Sequence, residues 1–269
     1  MVIVFYLKVL LCMNIFKQFI RSLYSPKDIA GFRTQGMGKT VLYVFLLTLI
    51  AIIPSAYHFT TAFTQGAETV RETMANEIPA FEIKEGVLEA ESKEPTIFEK
   101  DGLTIFVDDT GEMTKEDIQA KSASGVGLLR NEFVFYGPGG LQSYPYSMLS
   151  GMHITNETLA DMLVSLESML VIIIPIFLLV LFGFSAAIQF VEITLLAFFG
   201  MFLKTILGRN LPYSLIWKLT AYSITLPTVF FAIMGALNTP VRGGHLVDWF
   251  ASLVVLYLAI KDIPQHENN

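Results

Sequence analysis

Two short motifs in the sequence match parts of known catalytic signatures. Residues 36–40, Gly-Met-Gly-Lys-Thr, resemble the end of a phosphate-binding loop, but that motif needs a glycine where Arg33 stands. Asp109-Thr110-Gly111 matches the aspartic-protease triplet, whose chemistry needs two carboxylates that share a proton. The chain carries one such triplet, so a dimer would have to supply the second. Neither motif predicts an enzyme.

Acidic side chains around this triplet form a candidate calcium site. They are Asp108, Asp109, Glu112, Glu116 and Asp117. Their spacing is not that of a calcium-binding loop, so a solvated acidic surface is the preferred interpretation. The chain has four scattered histidines and one cysteine, Cys12. We therefore expect no metal site, no cofactor and no disulfide framework.

Two further acidic residues lie within long apolar stretches, where ionisable groups usually mark transport pathways. They are Glu192 and Asp248, and both are expected near the ends of membrane spans. The bases closest to Glu192 in the following loop are Lys204 and Lys218. We expect Glu192 to pair with one of these lysines at the inner membrane face.

The composition is that of a membrane protein. Of the 269 residues, 53% are hydrophobic and 16% charged, with a mean hydropathy of +0.56, whereas soluble domains carry about 25% charged residues. Residues 68–161 hold 18 acids and seven bases, and the remainder holds six acids and 11 bases. This asymmetry predicts an acidic domain on one side of a membrane and basic segments on the other, and it excludes a nucleic-acid-binding protein.

The predicted fold is a polytopic α-helical membrane protein of about four spans, with a small α+β extracytoplasmic domain between spans 1 and 2. The uncharged run 168–191 exceeds the roughly 20 residues that cross a bilayer. Residues 163–203 could cross once or twice; one long element is preferred, because it keeps the following basic loop cytoplasmic. The predicted segments are a basic amphipathic region (1–39), span 1 (40–67), the outer domain (68–162), span 2 with an inner extension (163–203), a basic loop (204–218), span 3 (219–241), span 4 (246–260) and a tail (261–269).

The chain ends and the third span carry specific expectations. The positive-inside rule places both termini in the cytoplasm of a cell-membrane protein. The basic amphipathic region is expected to lie on the anionic inner leaflet, and Met13 is preferred over Met1 as the true start. Tyr222 and Pro227 are expected to shape span 3, where a proline usually kinks a helix.

The outer domain is predicted to be Glu-rich and helical or extended over residues 68–94, and folded and β-rich from Pro95. Asp101-Gly102 between two apolar runs predicts a hairpin. Residues 114–121 suit a helix capped by Thr114, and residues 127–136 suit one strand. Aromatic residues that could bind a partner or a sugar, although a β-domain core is their preferred use, are Phe133, Phe135, Tyr136, Tyr144 and Tyr146.

The sequence from Met13 onward resembles an uncharacterised family of multi-pass membrane proteins of Gram-positive bacteria, sometimes labelled maltodextrin utilization proteins. The resemblance is carried by residues 14–17, 23–27, 38–40, 190–192, 207–209, 217–227 and 257–261. Residues 208–227 are similar, more weakly, to the Yip-type membrane superfamily. The resemblance implies a link to (malto)oligosaccharide uptake and implies no catalytic residues.

Three functions follow as hypotheses. The first is a non-enzymatic sensor, scaffold or accessory factor that acts through its outer domain on an unidentified membrane or envelope protein. The alternative is a transporter or a transporter accessory subunit, for which four spans without an internal repeat are few. The third is a membrane-embedded enzyme, which no recognised catalytic motif supports.

Overall fold

The computed structural model describes residues 13–92, 94–100, 102–137, 139–149, 151 and 153–264. The predicted start at Met13 concerns residues 1–12, which lie outside this range, as do residues 265–269 of the predicted tail. The chain divides into two compact units. One comprises Met1–His58 with Ile176–Asn269, and the other comprises Phe59–Pro175.

Helices and strands alternate in long blocks along the chain. The described helices are α1 (Ile15–Ser22), α2 (Pro26–Phe32), α3 (Met37–Asn76), α4 (Lys115–Lys121), α5 (Asn156–Ile206), α6 (Tyr213–Ser223), α7 (Thr225–Ala236) and α8 (Gly244–Lys261). The described strands are β1 (Phe81–Lys84), β2 (Val87–Ala90), β3 (Thr96–Lys100), β4 (Leu103–Asp108), β5 (Gly125–Leu129), β6 (Glu132–Gly137), β7 (Gly140–Pro145) and β8 (Ile154–Thr155).

Four helical segments in the described part of the chain are long and apolar enough to cross a membrane. They are Met37–Thr73, Ser168–Ile206, Tyr213–Ala236 and Gly244–Lys261. Residues 163–203 belong to a single helix, α5, whose 51 residues extend about 77 Å at 1.5 Å per residue. The prediction of four segments of spanning length and a small strand-rich domain is therefore confirmed.

The core of the first unit lies where one seam of each helix faces its neighbours. On α5 the seam contains Ile193 and Leu196, which are fully buried, whereas Val191 and Phe198 are exposed. On α8 the buried Leu256 belongs to the same apolar cluster. The buried positions recur with the helical period of 3.6 residues. The sequence does not reveal this period, because both faces of such a helix are hydrophobic.

Helix α1 buries polar residues and exposes apolar ones. Gln18 and Ser22 are buried, while Phe16 and Ile20 are each more than half exposed. Part of the apolar stripe of the predicted amphipathic helix therefore points away from the bundle, whereas Phe19 packs against its core. Such an orientation suits a helix whose outer face contacts lipid.

The predicted third span is divided between α6 and α7, which meet at Ile224. Pro227, the third residue of α7, has no backbone N–H, so the helical hydrogen bond to the preceding turn is missing there. Close to the same place, the Thr225 hydroxyl donates to the Tyr222 carbonyl at 2.7 Å. The expected distortion at Pro227 thus takes the form of a break three residues earlier.

The second unit contains two sheets. The first has the strand order β2-β1-β8, and the second has the order β3-β4-β5-β6-β7. Strands β4 and β5 are parallel, and α4 lies between them in the chain; their neighbours in this sheet pair antiparallel. One face of the larger sheet shares a core with the small sheet, and the other packs against Ile118 of α4.

Local signals predicted some of these elements and missed others. The Asp-Gly hairpin is confirmed, with Lys100 paired to Leu103, and the Thr114 capping box is confirmed. The single strand over 127–136 was wrong, because a turn separates β5 from β6. The helical or extended segment 68–94 was incomplete, because residues Glu85 and Gly86, both with positive φ, form a second hairpin turn between β1 and β2.

Candidate intramembrane acidic site

A cavity of about 530 Å³, lined by both apolar and polar side chains, lies among the helices of the first unit. Helices α3, α5, α7 and α8 supply its lining, which is apolar at Leu181, Ile188 and Phe231. The polar lining residues are Thr48, Ser55, Ser185, Gln189, Glu192, Thr228, His245 and Asp248. Polar side chains in helices of spanning length thus converge on one place.

Glu192 and Asp248 meet in this cavity. Glu192 lies next to the buried Ile193 on the inward seam of α5, and Asp248 lies in the second turn of α8. Their carboxyl groups are within hydrogen-bonding reach of each other. Two carboxylates in such contact cannot both ionise at low cost.

The surroundings of this acidic pair are polar on α5 and α8. Trp249 hydrogen-bonds to Glu192, and His245 interacts electrostatically with Asp248. Gln189, one turn before Glu192, accepts a hydrogen bond from Thr48 of α3 at 2.6 Å. The Asp248 Oδ1 atom is buried and has no hydrogen-bond partner among the described residues.

The lysines expected to pair with Glu192 have other partners. The Lys218 Nζ atom donates to the carbonyls of Gln35 and Arg33, at 2.6 and 3.4 Å. Lys204 donates to the Leu211 carbonyl at 2.6 Å. The expectation of a Glu192–lysine pair was therefore wrong. Carbonyls just beyond the end of α2 lack helical partners, and Lys218 satisfies them.

Tyr222 joins the N-terminal helices to α6. Its hydroxyl donates to Gln18 at 3.2 Å, and its ring lies 4.3 Å from Tyr43 and 4.9 Å from Phe32 between centroids. Tyr222 and Pro227 both lie in the apolar segment Tyr213–Ala236, but neither residue lines the acidic cavity. Their roles here are packing and helix geometry.

The aromatic residues of the second unit divide into core and surface. Tyr146 is 2% exposed and packs in the core with Phe133, and Tyr136 packs against the cluster around α4. Phe135 and Tyr144 are 45% and 52% exposed. Of the five aromatic residues singled out, these two offer the largest surface to a partner.

The acidic side chains around Asp109 accept hydrogen bonds from nearby backbone groups. Asp108 accepts backbone hydrogen bonds from Thr110, Gly111 and Met113, and Asp109 accepts one from Ala90. The backbone and side chain of Thr114 lower the pKa of Asp117 by hydrogen bonding to its carboxylate. Across the described residues, no three His, Cys, Asp or Glu side chains gather into a metal-binding group.

Sequence reasoning missed Thr48, Gln189 and His245 as companions of the acidic pair. A signal was present for two of them, because Gln189 lies three residues before Glu192 and His245 lies three residues before Asp248. Residues at those separations share a helix face. A polar seam in an apolar helix therefore marks the acidic site.

Comparison by sequence assigns the chain to a family. A family model, described as "Protein of unknown function (DUF1189)", matches residues 16–260 and so includes both compact units. No curated protein and no solved structure matches the chain. Because the matched range covers nearly the whole sequence, the chain belongs to the DUF1189 family.

Proposed function

We propose that this protein is a non-enzymatic integral membrane protein of the transporter or transporter-accessory class, which binds a cation in its acidic cavity. The observation that carries the proposal is the contact between Glu192 and Asp248 inside a cavity lined by helices of spanning length. Sequence reasoning placed these residues separately near span ends. Their meeting gives the transporter class the specific support that it lacked.

The physical argument rests on the cost of charge inside a membrane. An acidic residue inside a transmembrane helix costs up to about 2.5–3.5 kcal/mol on insertion scales, the upper figure applying at the helix centre. Two such residues in contact add mutual repulsion unless a proton or another cation lies with them. An apolar pair would pack at lower cost, which favours a role in binding over a role in stability.

The remaining elements of the proposal concern location and partners. We place the protein in the cell membrane with both termini cytoplasmic, because Lys204 in the last turn of α5, Arg209 in the following loop and Lys218 within α6 form a basic segment. The exposed residues Phe16 and Lys17 of α1 support contact with an anionic inner leaflet. Lipid is thus the expected partner of α1.

Thermal unfolding of the full chain in nanodiscs tests the cation-binding function. The unfolding temperature of the native protein is expected to change with pH, or to change when a metal chloride replaces choline chloride at equal ionic strength. Glu192→Gln and Asp248→Asn should abolish that response, since both variants keep the side-chain size. Glu116→Gln, at an exposed position of α4, is the matched control. An unchanged response in both acidic-pair variants rules the function out.

A second candidate function is supported by the exposed aromatic residues of the second unit. Phe135 pairs with Gln142 across β6 and β7, so Tyr144, two residues on, lies on the same face. Such a pair could bind a sugar ring or an envelope protein, which suits a sensor or scaffold linked to (malto)oligosaccharide uptake.

Calorimetric titration of the nanodisc-bound protein with maltotriose tests this second candidate. Heat of binding is expected for the native protein and should vanish in the double variant Phe135→Ser, Tyr144→Ser. Ile97→Ser removes another exposed apolar side chain, on β3, and should bind as the native protein does. Absence of binding by the native protein removes the sugar-linked form of this candidate.

A further inference from the structure

An uncharged groove of about 360 Å³ lies among three helices of the first unit. Helix α3 supplies two of its lining residues, α5 supplies one and α6 supplies three. The lining residues are Met37, Val41, Phe190, Tyr213, Ser214 and Trp217. None of them lines the acidic cavity. The groove is therefore a separate site, and its lining offers no charge to a ligand.

The polar atoms of the two largest side chains in this groove bond to α5. The Trp217 Nε1 atom donates to the Thr194 hydroxyl at 3.3 Å, and the Tyr213 hydroxyl donates to the Thr194 carbonyl at 3.4 Å. The Trp217 ring stacks on Phe190, with 6.1 Å between centroids and 9° between ring planes. Carbon atoms of these rings are thus left to line the groove. Such a surface suits a hydrocarbon occupant, because a polar ligand would lose hydrogen bonds to water there.

The groove lies at one end of the apolar segments. Met37 and Tyr213 are the first residues of two segments of spanning length, Met37–Thr73 and Tyr213–Ala236. Tryptophan and tyrosine are enriched at this level of membrane proteins, where headgroups meet acyl chains. The hydrocarbon available to the groove in a membrane is therefore a lipid acyl chain.

Two lysines flank the groove on the α6 side. Lys218 is the residue after Trp217, and Lys204 donates at 2.6 Å to the carbonyl of Leu211, two residues before Tyr213. The segment from Lys204 to the end of α6 contains no acidic residue. An ammonium group has three donors, so each lysine can bond to a phosphate in addition to its carbonyl partners. This flank is complementary in charge to an anionic headgroup.

We propose that the groove binds one anionic phospholipid, with an acyl chain against Trp217 and Phe190 and the phosphate near Lys204 and Lys218. The uncharged lining keeps the headgroup outside the groove, and the two lysines favour a headgroup of negative charge. This inference rests on the proposed membrane placement and makes no use of the cation-binding function.

Quenching of tryptophan fluorescence in nanodiscs tests the proposal on the full chain. The chain has two tryptophans, so Trp249→Phe leaves Trp217 as the reporter. Brominated phosphatidylglycerol, diluted in phosphatidylcholine, should quench Trp217 more than brominated phosphatidylcholine does at the same mole fraction. The apparent preference should be about fivefold or more, the factor that one lysine contributes near an anionic surface, and it should fall with added salt. Equal quenching by both lipids means that only ordinary boundary lipid covers Trp217, and it overturns the proposal.

Two variants with matched controls test the groove and its flank. Val41→Phe fills the groove and should remove the preference, whereas Leu42→Phe, at a position that is 56% exposed and outside the lining, should keep it. Lys204→Met should weaken the preference about fivefold, and Lys27→Met, at an exposed position of α2, should not. An unchanged preference in Val41→Phe, or equal effects of the two lysine substitutions, overturns the proposal. The comparison of the two lipids in the reporter protein does not depend on whether these variants fold.

The mass of the loaded nanodiscs tests a second copy of the chain as the occupant. Two chains per nanodisc without a preference for phosphatidylglycerol would mean that a copy fills the groove, and the proposal fails. The unfolding response to cations should be the same in Val41→Phe as in the native protein. Loss of that response in the native protein alone leaves the lipid site standing, and absence of the lipid preference alone leaves the cation-binding function standing.

Discussion

The Lys218 Nζ atom lies 2.6 Å from the carbonyl oxygen of Gln35 and donates a hydrogen bond to it. Lys218 belongs to α6, and Gln35 follows the end of α2, so the bond fastens the N-terminal helices to the bundle. A second such contact joins Arg209 to the carbonyl of Lys261, the last residue of α8, at 2.9 Å. Lys218 and Arg209 thus donate to carbonyls just beyond the C-terminal end of α2 and at that of α8.

Lys218→Met is expected to destabilise the protein by about 1.5–3 kcal/mol, the range for hydrogen bonds to a charged group. The variant keeps the apolar stem but leaves the Gln35 carbonyl without its donor. Denaturant unfolding in detergent measures the change. Lys17→Met, at an exposed position of α1, should change stability by less than about 0.5 kcal/mol. Equal effects of the two substitutions would contradict the anchoring role.

Thr225→Val should destabilise the protein more than Tyr43→Phe does. The Tyr43 hydroxyl lies 2.5 Å from the Thr225 hydroxyl, which donates to the Tyr222 carbonyl. Tyr43→Phe removes one hydrogen bond, at a cost of about 1 kcal/mol, whereas Thr225→Val removes two, at a cost of about 2–3 kcal/mol. Unfolding free energies of both variants, measured in one detergent, provide the comparison. The reverse order would mean that the Thr225 hydroxyl does not support the helix break.

Gly200→Ala is expected to destabilise the bundle by about 1–3 kcal/mol through overpacking. A Cβ atom at Gly200 would lie 2.6 Å from the Ile216 side chain on α6 and 3.0 Å from Leu256 on α8. Gly183→Ala, on the same helix, meets nothing within 4 Å and should stabilise α5 by about 0.5–1 kcal/mol. Thermal unfolding of the two variants checks the contrast. An equal loss of stability in both variants would contradict the close-packing explanation.

The capping box of α4 should lose stability as the pH falls. Hydrogen bonds from Thr114 lower the pKa of Asp117 below its usual value. A group whose pKa is lower in the folded state stabilises that state above its unfolded pKa, and this contribution disappears as the pH falls through the folded pKa. Amide hydrogen exchange of α4, corrected for intrinsic rates, should show faster opening at acid pH. Asp117→Asn should remove the pH dependence, and an unchanged dependence would contradict this account.

Cysteine labelling tests the proposed orientation in the membrane. In a Cys12→Ser background, Ala123→Cys, at an exposed position after α4, should react with an impermeant thiol reagent in intact cells. Asn210→Cys, in the exposed loop between α5 and α6, should react only after the cells are opened. Labelling of both positions in intact cells would place the basic loop outside and would overturn the cytoplasmic assignment.

The sequence by itself determined the features that depend on neighbouring residues. Uncharged runs longer than a bilayer core predicted four spanning segments, since hydropathy is a property of the local chain. Asp101-Gly102 and Thr114 predicted a hairpin and a helix start, because turns and caps form between residues a few positions apart. The alternation of apolar and polar residues predicted one strand where β5 and β6 lie, because the polar turn between these strands interrupts the pattern only briefly.

The tertiary structure alone decided which distant residues meet. Glu192 and Asp248 lie on different helices, and nothing in either apolar segment fixes the rotation of one helix about its axis relative to the other. Close packing at Gly200 and the hydrogen bonds of Tyr43 and Thr225 position the helices. The partner of Lys218 was also set by the tertiary structure. The carbonyls that accept from Lys218 lie beside it only because α2 packs against α6. Contacts between helices depend on the complementary shapes and unpaired polar groups of both surfaces, which a single segment does not contain.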